Sequence, residues 1–202
     1  MVSLAFALSA AGLLVAVPIH WASVSRGALG EALGAGRGEG AARLLGTFSG
    51  ALETVCLAGL WLAPQPRWGP GLLPGPVVEP VGLPLNLVQV LVPLPLLAAG
   101  AFLGIRGVMD VGLEVADTHR VPDRLVTTGV YGTVRHPQYL GWTLAHVALS
   151  IALSATWALL FTPALLFVIF CISWAEEGDL VRAYGDEYRE YRDRVPMLVP
   201  RP

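Results

Sequence analysis

The chain is poor in charge: 14% of its 202 residues are Asp, Glu, Lys or Arg, against roughly a quarter in soluble domains. It contains no lysine, so its 13 basic residues are all arginine. No lysine-rich tail or basic stripe exists to grip a phosphate backbone, which excludes a nucleic-acid partner. Cysteine is equally scarce. Cys56 and Cys171 both lie inside apolar runs, so neither a disulfide framework nor a metal site is expected. Nor does any formal charge precede Arg26. In place of these, 54% of the side chains are hydrophobic and the mean hydropathy is +0.62, values that describe an integral membrane protein.

The uncharged stretches set the expected topology. Val2 to Ile19 is long enough for one span. Because the positive segment of a cleavable leader is missing there, that span is expected to be retained. A second falls near Leu44 to Ala63, and a third near Leu85 to Leu103, where Pro93 and Pro95 should introduce a kink. From Pro137 to Ala175 there are 39 residues without formal charge, too many for one span and enough for two short ones. Ser150, Ser154 and Thr156 mark the turn between them. The expectation is an all-α protein of five transmembrane helices, the last two a hairpin, followed by C-terminal helices at the interface. It forms one membrane domain over 1–202, divided into a three-helix part (1–105) and a cofactor-binding part (106–202).

Arginine placement agrees with five spans, because basic residues in short loops stay on the cytoplasmic side. With the N-terminus outside, twelve of the 13 arginines fall in the first loop, the third loop and the C-terminal tail, leaving Arg67 outside. The expected location is the plasma membrane of a prokaryote. The outer loop from Pro64 to Pro84 carries seven prolines and reads as an extended connector. Gly34, Gly36, Gly38 and Gly40 lack the preceding strand that a phosphate-binding loop requires, and read as a flexible linker. Gly100, Gly104 and Gly107 fail the same requirement.

A hairpin returns its two ends to one face of the membrane. Tyr131, Arg135, His136, Pro137, Gln138 and Tyr139 stand at its start, and Glu176 and Glu177 at its exit. Pro137 suits the first position of a helix, which puts Arg135 and His136 at a positive helix end that attracts an anion. The paired carboxylates sit near a helix C-terminus and call for a cation. Either a zwitterionic ligand bridges the two, or Arg135 pairs directly with Glu176 or Glu177. Beyond them Leu180, Tyr184, Tyr188 and Tyr191 recur at helical spacing, with Gly185 as a break and Pro196 as a stop. Such a stripe reads as a helix at headgroup level or as a lid. Intramembrane Glu53 is expected to bond Asn86 or Gln89, with a substrate role as the sharper reading. His146 is expected to be a satisfied core histidine.

The segment from Leu125 to Gly141, LVTTGVYGTVRHPQYLG, together with EEGDLVRAYGDEYREYRDRVP from Glu176 to Pro196, resembles the isoprenylcysteine carboxyl methyltransferase family and the related phospholipid methyltransferases. The resemblance covers about the last eighty residues. It implies S-adenosyl-L-methionine as cofactor, held by Leu125, Val126, Tyr131, His136, Pro137, Gln138, Tyr139, Glu176 and Glu177, with Arg135 and Glu176 as the catalytic pair. Ile172 stands where some eukaryotic relatives carry a substrate-contacting arginine, and Asp117 is the counterpart of a polar residue upstream of the LV pair. The implied reaction is methyl transfer to a lipophilic or prenylated acceptor reached from the membrane lipid, foremost a prenylcysteine-type carboxylate. Methylation of a lipid amine is the first alternative. Reduction by NADPH is the second, because sterol-reducing enzymes share a related C-terminal region, and a non-enzymatic carrier is the third.

Overall fold

A computed structural model of the chain describes residues 2–68, 77–78, 85–118 and 121–201. Among these, regular structure is helical apart from one two-residue antiparallel pair, β1 (Val77–Val78) with β2 (Leu85–Asn86). Most of the proline-rich connector, with Glu79, lies outside the described residues, as do Arg120 and the side chain of Asp117.

The first two apolar stretches form a helical hairpin. One arm is α1 (Leu4–Val24) continued, after a break at Ser25, by α2 (Arg26–Leu33); the other is α3 (Ala35–Leu62). The turn is Gly34, with φ +84°, a conformation that costs glycine little and other residues more. Three close approaches lie equidistant in sequence from it. A Cβ on Gly38 would meet the Gly30 backbone at 2.7 Å; Gly12 faces the Cys56 sulfur, and Gly59 faces the Ser9 hydroxyl. The glycine-rich stretch is therefore not the flexible linker expected of it: its small residues let two helices touch, as small residues do inside membranes. Phe6, Leu13, Leu57 and Leu60 fill the seam above the turn.

At Pro93 the helical hydrogen bonding of the third apolar stretch is interrupted while the backbone stays helical, Val92 having φ −65° and ψ −43°. α4 (Leu87–Leu91) ends just before Pro93, and α5 (Pro93–Val111) begins on that residue, with α6 (Leu113–Thr118) following Gly112. α5 lies along α7 (Pro137–Ala152). Their axes approach so closely that a Cβ on Gly141 would meet the Gly100 carbonyl oxygen at 2.6 Å and the Gly104 nitrogen at 2.7 Å. Gly100 is a packing residue, since a Cβ there would meet the Gly141 carbonyl oxygen at 2.7 Å, and Gly107 abuts Gln138 and Pro137 at the start of α7.

After α7 the chain reverses through Ser154, at φ +53°, and the short α8 (Thr156–Leu160), then returns as α9 (Thr162–Tyr184). The turn falls where the serines put it. Gln89 steadies it by donating to the Ala152 carbonyl and the Ser154 hydroxyl. Gly185, at φ +57°, ends α9, and α10 (Asp186–Arg194) follows. The tyrosine stripe does not face lipid: Tyr188 and Tyr191 are 1% and 3% exposed and pack with Val195 against Leu125, Leu180 and Tyr184.

Among the described residues three helices are long and apolar enough to cross a membrane: Leu4–Val24, Ala35–Leu62 and Gln89–Val111. Of the two hairpin helices, α9 has 23 residues but carries Glu176, Glu177 and Asp179 in its second half, and α7 is short. With 16 residues, α7 is about 24 Å long, less than the roughly 30 Å of a bilayer's hydrocarbon core.

Candidate functional site

The return of α9 alongside α7 brings the two ends of the hairpin together. Arg135 is fixed first. Its guanidinium lies 2.7 Å from Glu177 Oε1, with the two side chains 8% and 6% exposed. Arg135 also donates to the backbone carbonyls of Arg192 and Val195. The peptide N–H groups of Arg135 and His136 donate to the carbonyls of Pro196 and Met197. Arg135 thus meets the second glutamate rather than the first, and it ties the C-terminal segment to the start of α7.

His136 stands between both carboxylates, with Nδ1 3.3 Å from Glu176 and Nε2 3.3 Å from Glu177. Burial alone would push its imidazole down. The hydrogen bonds and charges of Glu176 and Glu177 outweigh that effect, and its pKa stands above the ordinary histidine value. In the imidazolium form both ring nitrogens donate, and Arg135 and His136 then balance the carboxylates of Glu176 and Glu177.

Glu176 is the more open of the two acids, 21% exposed against 6% for Glu177. It lies on the wall of a cavity of about 380 Å³. Tyr131, Arg135, His136, Pro137, Gln138 and Tyr139 line the same end. Leu125 and Val126 do not: Leu125 packs under Tyr188 and Tyr191, so its part is to seat α10 against the site. Tyr191 completes that seat by donating to the Tyr131 carbonyl at 2.7 Å. The Tyr131 hydroxyl donates to the Gly107 carbonyl and accepts from Gln138 at 3.2 Å, which fixes both side chains against α5. No side chain caps α7 at His136, which leaves the anion-attracting helix start beside the acidic wall. Ile172 also lines the cavity. Among the described residues no cluster of three or more His, Cys, Asp or Glu is placed to hold a metal ion.

The rest of the cavity is apolar, walled by Leu13, Leu14, Val17, Leu57, Phe161 and Leu165. His20 and Glu53 interrupt that wall, with Thr54 beside Glu53, and Asp179 also lines the cavity. Glu53 does not bond Asn86 or Gln89. Its Oε1 is 2.7 Å from His20 Nδ1, because the α1–α3 hairpin puts the two residues on facing helices, whereas Gln89 is engaged at the α7–α8 turn. His20 Nε2 lies 3.3 Å from the Tyr139 hydroxyl, which in turn donates to Glu176 Oε1 at 2.8 Å. His20 was missed in the sequence. The available signal was that two ionisable groups in adjacent spans tend to pair with one another. His146 is a core histidine whose ring nitrogens meet the Trp61 indole N–H and the Ala158 carbonyl.

Residues 88–187 match the family model described as phospholipid methyltransferase. Over 94 residues the chain is 37% identical to methanethiol S-methyltransferase 1 of Bradyrhizobium diazoefficiens, covering 46% of this chain and 32% of that protein. The corresponding enzyme of Crocosphaera subtropica is 35% identical over 94 residues, 46% and 36% of the two chains. Protein-S-isoprenylcysteine O-methyltransferase of Xenopus laevis is 34% identical over 95 residues, 43% and 29%. The chain spans about a third of the length of these curated relatives.

Proposed function

We propose, for a chain that belongs through residues 88–187 to the phospholipid methyltransferase family, that it is an integral-membrane methyltransferase using S-adenosyl-L-methionine on a lipophilic acceptor. One observation carries this reading: the acidic wall at Glu176 and the uncapped start of α7 close one end of a cavity that is otherwise largely apolar. An amino-acid zwitterion fits the polar end, its ammonium toward Glu176 and its carboxylate toward the helix start. A polyanionic nicotinamide cofactor fits it less well. Among the described lining residues Arg135 is the one arginine, and Glu177 already engages it.

When bound, the cofactor supplies an electrophilic methyl group. The chain's own residues supply position and dryness, which for an in-line displacement carry most of the rate. Glu176 holds the cationic part. Arg135 acts as a positioning residue, since it locks Glu177 and the C-terminal segment around the site. Tyr131, Gln138, Tyr139, His136 and Pro137 shape the pocket, and Leu125, Val126 and Glu177 support it from behind. The apolar wall excludes water and takes the acceptor's hydrocarbon part from the bilayer.

The family resemblance favours a prenylcysteine-type carboxylate as the acceptor. One observation favours a second reading, a protic group such as a lipid amine or a thiol: the polar groups on the acceptor side include Glu53 and His20, and a carboxylate beside Glu53 would be repelled. The helices α7 and α9 are read as the fourth and fifth spans. The arginine distribution supports the N-terminus outside and the tail in the cytoplasm of a prokaryotic cell. Calorimetry of the detergent-purified chain with S-adenosylhomocysteine and with NADPH tests the assignment. Binding of the first and not the second is expected, and the reverse result overturns it. Mass spectrometry of lipids incubated with labelled cofactor identifies the acceptor.

A further inference from the structure

Four side chains from four helices form one hydrogen-bonded line. Glu53 on α3 meets His20 on α1 at 2.7 Å, His20 meets Tyr139 on α7 at 3.3 Å, and Tyr139 meets Glu176 on α9 at 2.8 Å. The two ends are open to the cavity, Glu53 at 27% and Glu176 at 21% side-chain exposure, while the His20 side chain between them is 3% exposed. Three links need three protons. Two carboxylates, a neutral imidazole and a phenol hold two, one on the ring and one on the hydroxyl. The line is complete only when it carries one proton more. That proton has two equivalent settings: Glu53 donating toward Nδ1, Nε2 toward the phenol and the phenol toward Glu176, or all three bonds reversed. A concerted shift exchanges them with no bond lost.

We infer that Glu53, His20 and Tyr139 form a proton relay that takes the proton of a protic methyl acceptor, an S–H or N–H group on an apolar body, and delivers it to Glu176. The inference rests on the methyltransferase reading and names its acceptor class. In the step itself the S–H bond of a thiol, or one N–H bond of an alkylammonium, breaks, its electron pair stays on the sulfur or nitrogen as the nucleophile, and Glu53 gains the proton. Glu53 hands a proton to Nδ1, Nε2 hands one to the Tyr139 oxygen, the Tyr139 hydroxyl hands one to Glu176, and Glu176 releases one to the polar end. The acceptor's lone pair forms the new bond to the methyl carbon, and the donor sulfur keeps the pair of the bond that breaks. A carboxylate acceptor has no proton to give and would leave the relay without work. Among the described residues, the other charged and titratable groups beside the line include His136, 3.3 Å from Glu176, Tyr131, and the Arg135–Glu177 pair.

The test uses the full chain in lipid nanodiscs, with Glu53→Gln, His20→Gln and Glu53→Asp variants. Probes are a long-chain alkanethiol, a long-chain alkylamine and a prenylcysteine-type acid. S-adenosylhomocysteine affinity is expected to stay within about twofold of the parent, since neither Glu53 nor His20 belongs to the cofactor end. The kcat with the thiol or amine is expected to fall about 100-fold in Glu53→Gln and His20→Gln, the scale of a lost general base, with KM little changed. For the thiol the deficit should shrink as pH rises toward the thiol's own pKa, where the acceptor ionises unaided. Glu53→Asp should recover part of the rate. In mixtures of light and heavy water the parent rate should follow a curve that needs more than one moving proton, and His20→Gln should straighten it. Unchanged kcat and pH profile in the variants, or turnover in the parent confined to the acid, overturns the relay while leaving the methyltransferase reading intact. Failure of the parent to bind S-adenosylhomocysteine overturns that reading instead.

Discussion

Arg135 and Glu177 form a buried ion pair, 2.7 Å between guanidinium nitrogen and carboxylate oxygen, with side chains 8% and 6% exposed. This pair joins the start of α7 to α9 and, through the carbonyls of Arg192 and Val195, to the end of the chain. Removing Arg135 leaves buried Glu177 to His136, and removing Glu177 leaves the guanidinium to the carbonyls of Arg192 and Val195, a loss of up to about 3–5 kcal/mol. Arg135→Met and Glu177→Leu are each expected to lower the melting temperature in detergent markedly. The double variant should regain most of the loss, because an apolar pair of similar volume needs no compensation. Additive losses in the double variant would show that the ion pair does not hold this junction.

Glu176 is separated from its neighbour by exposure and by partner, facing Tyr139 and the cavity. Glu176→Ala is expected to weaken S-adenosylhomocysteine binding at least tenfold, about 1.4 kcal/mol or more, while the melting temperature of the ligand-free protein changes little. Calorimetry that returned the parental affinity would remove Glu176 from the cofactor site.

His136 gives the site its pH dependence. Its folded pKa is raised, so the stability contributed by the imidazolium is fully present below the ordinary value of about 6.5. It is lost as pH rises through the folded-state pKa. Melting temperature and S-adenosylhomocysteine affinity are both expected to decline on the alkaline side of that ordinary value. His136→Gln should be less stable at acidic pH and should lack the decline. A titration in which parent and variant run parallel would contradict the ion cluster.

The contact between α5 and α7 discriminates between two glycines on facing helices. A Cβ on Gly141 would lie 2.6 Å from the Gly100 carbonyl oxygen, whereas one on Gly104 meets nothing within 4 Å. Gly141→Ala is expected to cost about 1–3 kcal/mol, the range for overpacking, and Gly104→Ala to be neutral or stabilising, since glycine is the weaker helix former. Thermal melts of the two variants side by side check this. Equal effects would mean that the helices are not in contact at Gly141.

Much of this protein was legible without coordinates, because a bilayer leaves the backbone few options. Apolar length between charges located the helices, Pro93 located the break between α4 and α5, and Ser154 located the reversal between α7 and α9. The same reversal put Arg135 and His136 opposite Glu176 and Glu177. Which carboxylate took the arginine was decided only by packing, since adjacent residues on a helix point in different directions and Glu177 alone turns inward.

The identity of the groups with a charge or a polar atom to satisfy was written in the sequence; their pairing was not. The turn at Gly34 and the contacts of Gly38, Gly12 and Gly59 set how far α3 slides along α1, and this slide carried Glu53 to His20 and not to Gln89. Likewise the tyrosine stripe announced an amphipathic helix, and the fold of the tail turned that stripe toward Leu125 rather than lipid. Local patterns fix what a residue needs, but the long-range partner that meets the need depends on the relative placement of helices, a sum of many weak contacts that no short motif contains.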